Sequence, residues 1–404
     1  MNQLKTQYFV AILMSLWLLG LAGVSFYLPA MPLLGSQLSA SASLVKLTIT
    51  FYIIGKAVSM FIYGPFVEAF GRKLYLVIGI SLFTFGSALC AMANNIDWVL
   101  IGRLIQGIGC SLCILMGRAV INDQYPHRKA ASLFSYIFTG NAILLMALPI
   151  IAGYIATYWG WRAIFYSFFV YGLVLTTLVI SFIPETNPGA SVKNLELKQI
   201  KHNYWQIIKN KSFWGVVLLI ALMTAGEKVF TTSASYTFID TLHYSKVNFG
   251  YLLSTLWFAH LAGVVLCGWL VIRLGIDRLM SFGSTLLFIS ALALGIASLL
   301  NISSGILLAG TMFLYMFGSG FIITTAAVAM VRPFPQLIGL ATAIGMAVEF
   351  TLASIASFIV SHFSQHSIKP VMLSISTVGA LVLITWFYLV RQSCSDPELI
   401  AQND

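Results

Sequence analysis

The sequence predicts an all-α membrane protein: twelve transmembrane helices in two six-helix bundles, with both termini in the cytoplasm. Three observations carry this expectation. The 404-residue chain is 59% hydrophobic and only 8% charged, with a mean hydropathy of +0.92, which no ordinary soluble domain shows. Its apolar residues fall into twelve runs, each near the roughly 20 helical residues that a bilayer core requires. Its basic residues gather on one side of those runs.

The runs cover 8–28, 45–66, 74–93, 98–120, 131–156, 161–183, 213–238, 249–272, 279–300, 305–331, 337–360 and 369–390. Ten-residue segments of alternating polarity are absent from the sequence, so a β-barrel is not expected. The first run is too long for a secretory leader and lacks a small-residue cleavage site after it, so it reads as a retained anchor. A cytoplasmic N-terminus places fourteen basic residues inside: Lys5, Arg72, Lys73, Arg128, Lys129, Lys193, Lys198, Lys201, Lys209, Lys211, Arg273, Arg278, Arg332 and Arg391. Only Lys46, Arg162, Lys246 and Lys369 fall outside. This bias sets the orientation and accounts for most of the net charge of +10. It implies contact with anionic lipid and not with nucleic acid.

The longest polar segment, 184–212, divides the chain into an N-terminal bundle (1–183) and a C-terminal bundle (213–404). It opens with the breakers Pro184-Glu185-Thr186-Asn187-Pro188-Gly189. Leu197, Ile200, Tyr204 and Ile207 then recur at helical spacing among lysines, which predicts a short helix on the membrane face. An internal echo supports two halves. Gly64 and Gly71 stand seven apart before Arg72-Lys73, and Gly268 and Gly275 stand seven apart before Asp277-Arg278.

Several charges interrupt the apolar runs. A charge at mid-bilayer costs at least about 2.5–3.5 kcal/mol, so it is paired, faces water, or serves the transported species. Glu227 in the seventh run is a candidate proton carrier, because buried carboxylates titrate near neutrality, or else a structural partner for a base. Lys228 follows it, but neighbouring helical residues diverge by about 100°, so it is expected to reach another helix or to snorkel. Lys56 and Glu349, both near mid-membrane, are candidates for an ion pair between bundles, a static pair, or ligands for substrate and proton. His260 is a relay candidate or a packed hydrogen-bonder. Arg103 reads as structural or gating, and Arg118 as an anion ligand or a helix-end bond.

No enzyme chemistry is expected. The sequence has no phosphate-cradling lysine loop, no catalytic triad and no metal constellation; His362 and His366 lack companion ligands. No cofactor is implied. Cys110 and Cys113 read as small packing residues within an apolar helix.

Specific motifs carry a resemblance. Residues Gly64 to Lys73 (GPFVEAFGRK) resemble the G-x-x-x-D-x-x-G-R-[RK] loop of the major facilitator superfamily, with Glu68 in place of the aspartate. Ser25-Phe26-Tyr27-Leu28-Pro29-Ala30-Met31-Pro32 resembles the D-M-Y-L-P-A-L-P signature of its Bcr/CflA-type drug-resistance transporters (drug:proton antiporters). Arg103, Gln106 and Gly107 match R-x-x-Q-G-x-G; Arg118 with Asp123, Trp159-Gly160-Trp161-Arg162 and Pro184-Glu185-Thr186 also resemble this family. Pro149 and Gly153 retain part of its fifth-span element. The resemblance implies two bundles around a central cavity lined by spans 1, 4, 7 and 10. It also implies alternating access, with spans 2, 5, 8 and 11 at the seam. In this reading Gly64, Glu68, Gly71, Arg72, Lys73, Arg103, Gln106, Gly107, Asp123, Pro149 and Gly153 serve gating and structure. Phe26, Tyr27 and Tyr236, with Lys56, Arg118 and Lys228, are candidate substrate contacts; Glu227, Glu349 and His260 are candidates for proton coupling.

One departure matters. Ser25 stands where the family commonly has an acidic residue, and a hydroxyl, unlike a carboxylate, cannot take up and release a proton at physiological pH. The expectation is a monomeric, proton-coupled, multi-pass transporter of the bacterial inner membrane that exports a small organic solute, as in multidrug efflux. The alternative is a transporter of an anionic metabolite, such as a polycarboxylate or siderophore-like chelator, in either direction.

Overall fold

The computed structural model describes residues 3–63, 71–125, 127–187, 197–302, 304–363 and 367–390, and among them the secondary structure is helical, with no strand. Gly64 and Glu68 lie outside the described residues, as do the centre of the linker and His366. The first helix, α1 (Gln3–Ser25), gives way to a 3₁₀ turn at Leu28–Ala30 and resumes as α2 (Met31–Gln37). Pro29 and Pro32 explain the break, since each lacks the N–H that would continue the ladder. There follow α3 (Ala42–Tyr63), α4 (Arg72–Ala91), α5 (Ile96–Gln124), α6 (His127–Tyr158) and α7 (Trp161–Phe182). The amphipathic α8 (Leu197–Ile208) falls where helical spacing predicted it. Then come α9 (Lys211–Ser235), extended by a π segment Tyr236–Thr241, α10 (Lys246–Leu274), α11 (Ile276–Leu299), α12 (Gly305–Val331), α13 (Ile338–Ser361) and α14 (Lys369–Thr385), with a second π segment Trp386–Val390.

Twelve of these helical stretches among the described residues are long and apolar enough to cross a membrane, as the hydropathy predicts. Side-chain caps set several starts: Asn95 accepts from Trp98 N, Asn210 from Phe213 N, and Ser304 from Leu307 N. Gly275 precedes α11 at φ +78, a conformation that disfavours any other residue. Its echo Gly71 has φ −62; a Cβ there would instead press on Glu185 Oε2 at 2.9 Å. The two turns thus share a sequence pattern without sharing a backbone conformation.

The chain forms two compact units. One comprises residues 1–196 and 234–254; the other comprises 197–233 and 255–404. Within the first, α5 packs backbone to backbone on two neighbours: Gly107 meets Tyr52 and Gly55 of α3, and Gly109 meets Gly79 of α4. Within the second, α12 repeats the arrangement: Gly320 meets His260 and Gly263 of α10, and Gly318 meets Gly283 of α11. Small residues let membrane helices approach this closely. Glycine contacts of the same kind thus recur in both units.

Candidate functional site

In the first unit Arg103 is fully buried on α5 and ties four helices together. Its Nη1 donates to Gln106 Oε1 (2.8 Å), and Nη2 donates to the Gly23 carbonyl of α1 (2.6 Å). Gln106 Nε2 in turn donates to Ser87 Oγ of α4 (2.7 Å). The guanidinium also lies 4.4 Å from the Tyr52 ring centre and 4.9 Å from that of Tyr27. Among the described residues no carboxylate answers this cation; carbonyl dipoles and aromatic faces do. Tyr52 adds a bond from its hydroxyl to the Gly20 carbonyl (3.1 Å). Ser25 is buried, Phe26 packs on Phe168, and Tyr27 packs on Phe165.

Lys56 is buried on α3, and its carbonyl accepts from Ser111 (3.3 Å). Arg118 lies 5.9 Å from the Phe134 ring, which packs edge-on against Trp17. Pro149 and Gly153 mark where α6 meets the start of α10. A Cβ on Gly250 would stand 2.5 Å from the Pro149 carbonyl, and one on Gly153 would stand 2.7 Å from that of Lys246. Tyr236 is buried with the Lys46 ammonium 5.7 Å from its ring, and its hydroxyl finds no protein partner among the described residues.

At the start of α4, Arg72 Nε bonds Asp123 Oδ2 (2.9 Å), and Thr186 donates to the same oxygen (2.9 Å). Glu185 caps the helix, accepting from Arg72 N (2.8 Å) and Lys73 N (3.1 Å). Burial pushes the Glu185 carboxyl up, but backbone N–H donors from Asn187, Arg72, Lys73 and Thr186 outweigh it and hold it below its usual value. Lys73 Nζ donates to the Ile180 carbonyl (2.7 Å). The resemblance singles out Arg72 and Asp123. The capping role of Glu185, 113 positions from Arg72, has no local sequence signal beyond its place in the Pro-Glu-Thr triplet.

The second unit gathers the embedded acids. Glu227 Oε1 accepts from Lys228 Nζ at 2.6 Å, with both side chains partly exposed. Adjacent helical residues leave the backbone in different directions, but both side chains are long and flexible enough to curl together. This differs from the expectation that Lys228 reaches another helix or snorkels. One turn earlier Thr224 donates to Glu349 Oε1 (2.9 Å), linking α9 to α13; Thr232 and Ser357 (2.8 Å) form a second rung. His260 Nδ1 lies 2.8 Å from Ser319 Oγ. The Ser319 hydroxyl donates to the Met316 carbonyl (2.7 Å), which leaves its oxygen free to accept from Nδ1–H. Glu227 is within electrostatic reach of His260 and of Tyr315, whose hydroxyl donates to the Met223 carbonyl (2.8 Å). Glu227, Lys228, Glu349 and His260 therefore share one unit, whereas Lys56, Arg118, Phe26, Tyr27 and Tyr236 belong to the other.

Known proteins fit this architecture. The chain is 23% identical to a bicyclomycin resistance protein homolog of Haemophilus influenzae, over 97% of this chain and 99% of that one. It is 25% identical to a chloramphenicol resistance protein of Pseudomonas aeruginosa, over 91% and 87%. In structure it resembles a D-xylose-proton symporter, with a TM-score of 0.74 at 19% identity over 95% of this chain and 98% of that one. Residues 13–357 match the family described as Major Facilitator Superfamily. The chain belongs to the Major Facilitator Superfamily, whose members are membrane transporters of small molecules rather than enzymes.

Proposed function

We propose that this transporter is proton-coupled and exports a small organic solute across the bacterial inner membrane, as a monomer working by alternating access. The observation that carries the reading is the cluster on α9, α10, α12 and α13. Glu227 bonds Lys228, Glu349 accepts from Thr224, and His260 bonds Ser319, all within apolar helices. Carboxylates and an imidazole in low dielectric are the groups able to take up and release a proton during a cycle. They stand in for the acid that Ser25 does not supply. The drug-resistance names of the relatives support an amphiphilic drug or metabolite as cargo, as do the aromatic residues near Arg103. In proteoliposomes with an imposed pH gradient, a fluorescent cation is expected to accumulate, and Glu227→Gln is expected to uncouple flux from the gradient. Equal gradient-driven flux in that variant overturns the coupling role.

A specific observation favours a second reading, the transport of an anionic metabolite such as a polycarboxylate or chelator. Between residues 9 and 182 the buried charges within the described spans are all basic: Lys46, Lys56 and Arg103, with Arg72, paired with Asp123, at the end of a span; among the described residues no carboxylate lies in a span interior there. Such a field attracts anions. Gradient-driven movement of a polycarboxylate but not of a cationic dye would select this reading.

A further inference from the structure

Helix α8 stands apart from the spans by its charge. Between Leu197 and Gly226 the chain has no acidic residue, while Lys198, Lys201, Lys209 and Lys211 fall within fifteen positions. The helix is fixed in place at its C-terminal end. Ile207 is fully buried, Trp214 Nε1 donates to the Ile208 carbonyl (2.7 Å), and Asn210 caps α9. The span α9 begins only three residues beyond α8. Lys201, Trp205 and Lys209 recur every four residues on the exposed face, and Lys209 Nζ lies 5.2 Å from the Trp205 ring. At a rise of about 1.5 Å per residue the two ammonium-bearing positions stand about 12 Å apart with an indole between them.

A solvated charge run has no use for an exposed indole. A rigid indole flanked by lysines, held at the edge of a span on the side where basic residues gather, fits the headgroup layer. We infer that the face formed by Lys201 and Trp205 of α8 with Lys209 just beyond its end binds the phosphate of anionic phospholipid headgroups. The indole lies at headgroup level while the lysines contact phosphates and the Trp214–Ile208 hydrogen bond ties the helix end to α9. The inference is independent of cargo and of proton coupling, so it is tested without transport.

Full-length protein is reconstituted in nanodiscs that mix phosphatidylglycerol with phosphatidylcholine, and the bound lipid is measured by fluorescent-lipid titration and native mass spectrometry. The expected result is enrichment of phosphatidylglycerol that weakens about fivefold for each of Lys201→Gln and Lys209→Gln, about thirtyfold for both, and is kept by the paired arginine variants. Enrichment in the wild-type chain is also expected to fall as salt is raised. Undiminished enrichment in the double glutamine variant overturns the proposal. So does salt-insensitive enrichment in the wild-type chain, which needs no variant to fold. Displacement of the lipid by millimolar inorganic phosphate overturns it as well, making the face a free-phosphate site.

Discussion

Replacing Gly320 with alanine tests whether the backbone-to-backbone contact of α12 with α10 is structural. The added Cβ would stand 2.5 Å from the His260 carbonyl oxygen, 2.6 Å from Val264 N and 2.8 Å from Gly263 C. All three neighbours are backbone atoms, so no side chain can swing away, and the helices must separate by roughly 0.7 Å or more to restore ordinary contact. Overpacking of this kind costs about 1–3 kcal/mol, partly offset by roughly 1 kcal/mol of better helix propensity. With backbone on every side the upper end applies, and the net loss is about 2 kcal/mol. For a unit of this size that is a fall of roughly 4–8 °C in the unfolding midpoint. Gly268→Ala is the control: nothing lies within 4 Å of its Cβ, and it should gain about 0.5–1 kcal/mol. Thermal unfolding of purified protein in detergent, followed by tryptophan fluorescence, reads both. If Gly320→Ala melts at or above the wild type, the contact does not carry the stability assigned to it.

Arg103→Met leaves Gln106 Oε1 and the Gly23 carbonyl without their donor and should cost about 2–6 kcal/mol, roughly 1–3 for each orphaned acceptor. Arg103→Lys, which keeps the charge but loses the planar fork, should recover only part of this in the same melt. Glu185→Gln removes the carboxylate from the start of α4. Because the folded-state pKa of Glu185 is depressed, its stabilisation is fully present above the ordinary value of about 4.3 and is lost as pH falls through the folded value. Wild type should therefore exceed Glu185→Gln in stability by a constant margin above about pH 5.5, and that margin should shrink on acidification; a margin independent of pH would show that the carboxylate charge is not what stabilises the turn.

Much of the fold is legible in composition, because twelve apolar runs leave a chain in a bilayer little choice but helix. The break after Ser25 is readable from Pro29 and Pro32, and α8 from the spacing of Leu197, Ile200, Tyr204 and Ile207. The site is legible in part. Embedded charges announce themselves by cost, so Arg103, Glu227, Lys228, Glu349 and His260 stand out in the sequence. Their partners do not, because a carbonyl such as Gly23 or a hydroxyl such as Thr224 looks the same at every position. The Glu227–Lys228 bond defied the helical-angle rule because side-chain length, not backbone direction, decided it. The cap from Glu185 to Arg72 bridges more than a hundred residues, a distance over which periodicity carries no information.

The glycine pairs also bear on motion. At Gly55 and Gly107, where α3 crosses α5, and at Gly263 and Gly320, where α10 crosses α12, the backbones touch with no side chain between them. Such a contact has no rotamers to flip and offers no graded slack; it is either seated or broken. Each joined pair of helices must then turn as one body. The flexing that transport demands is passed to places where side chains still mediate, such as the Thr224–Glu349 and Thr232–Ser357 rungs between α9 and α13.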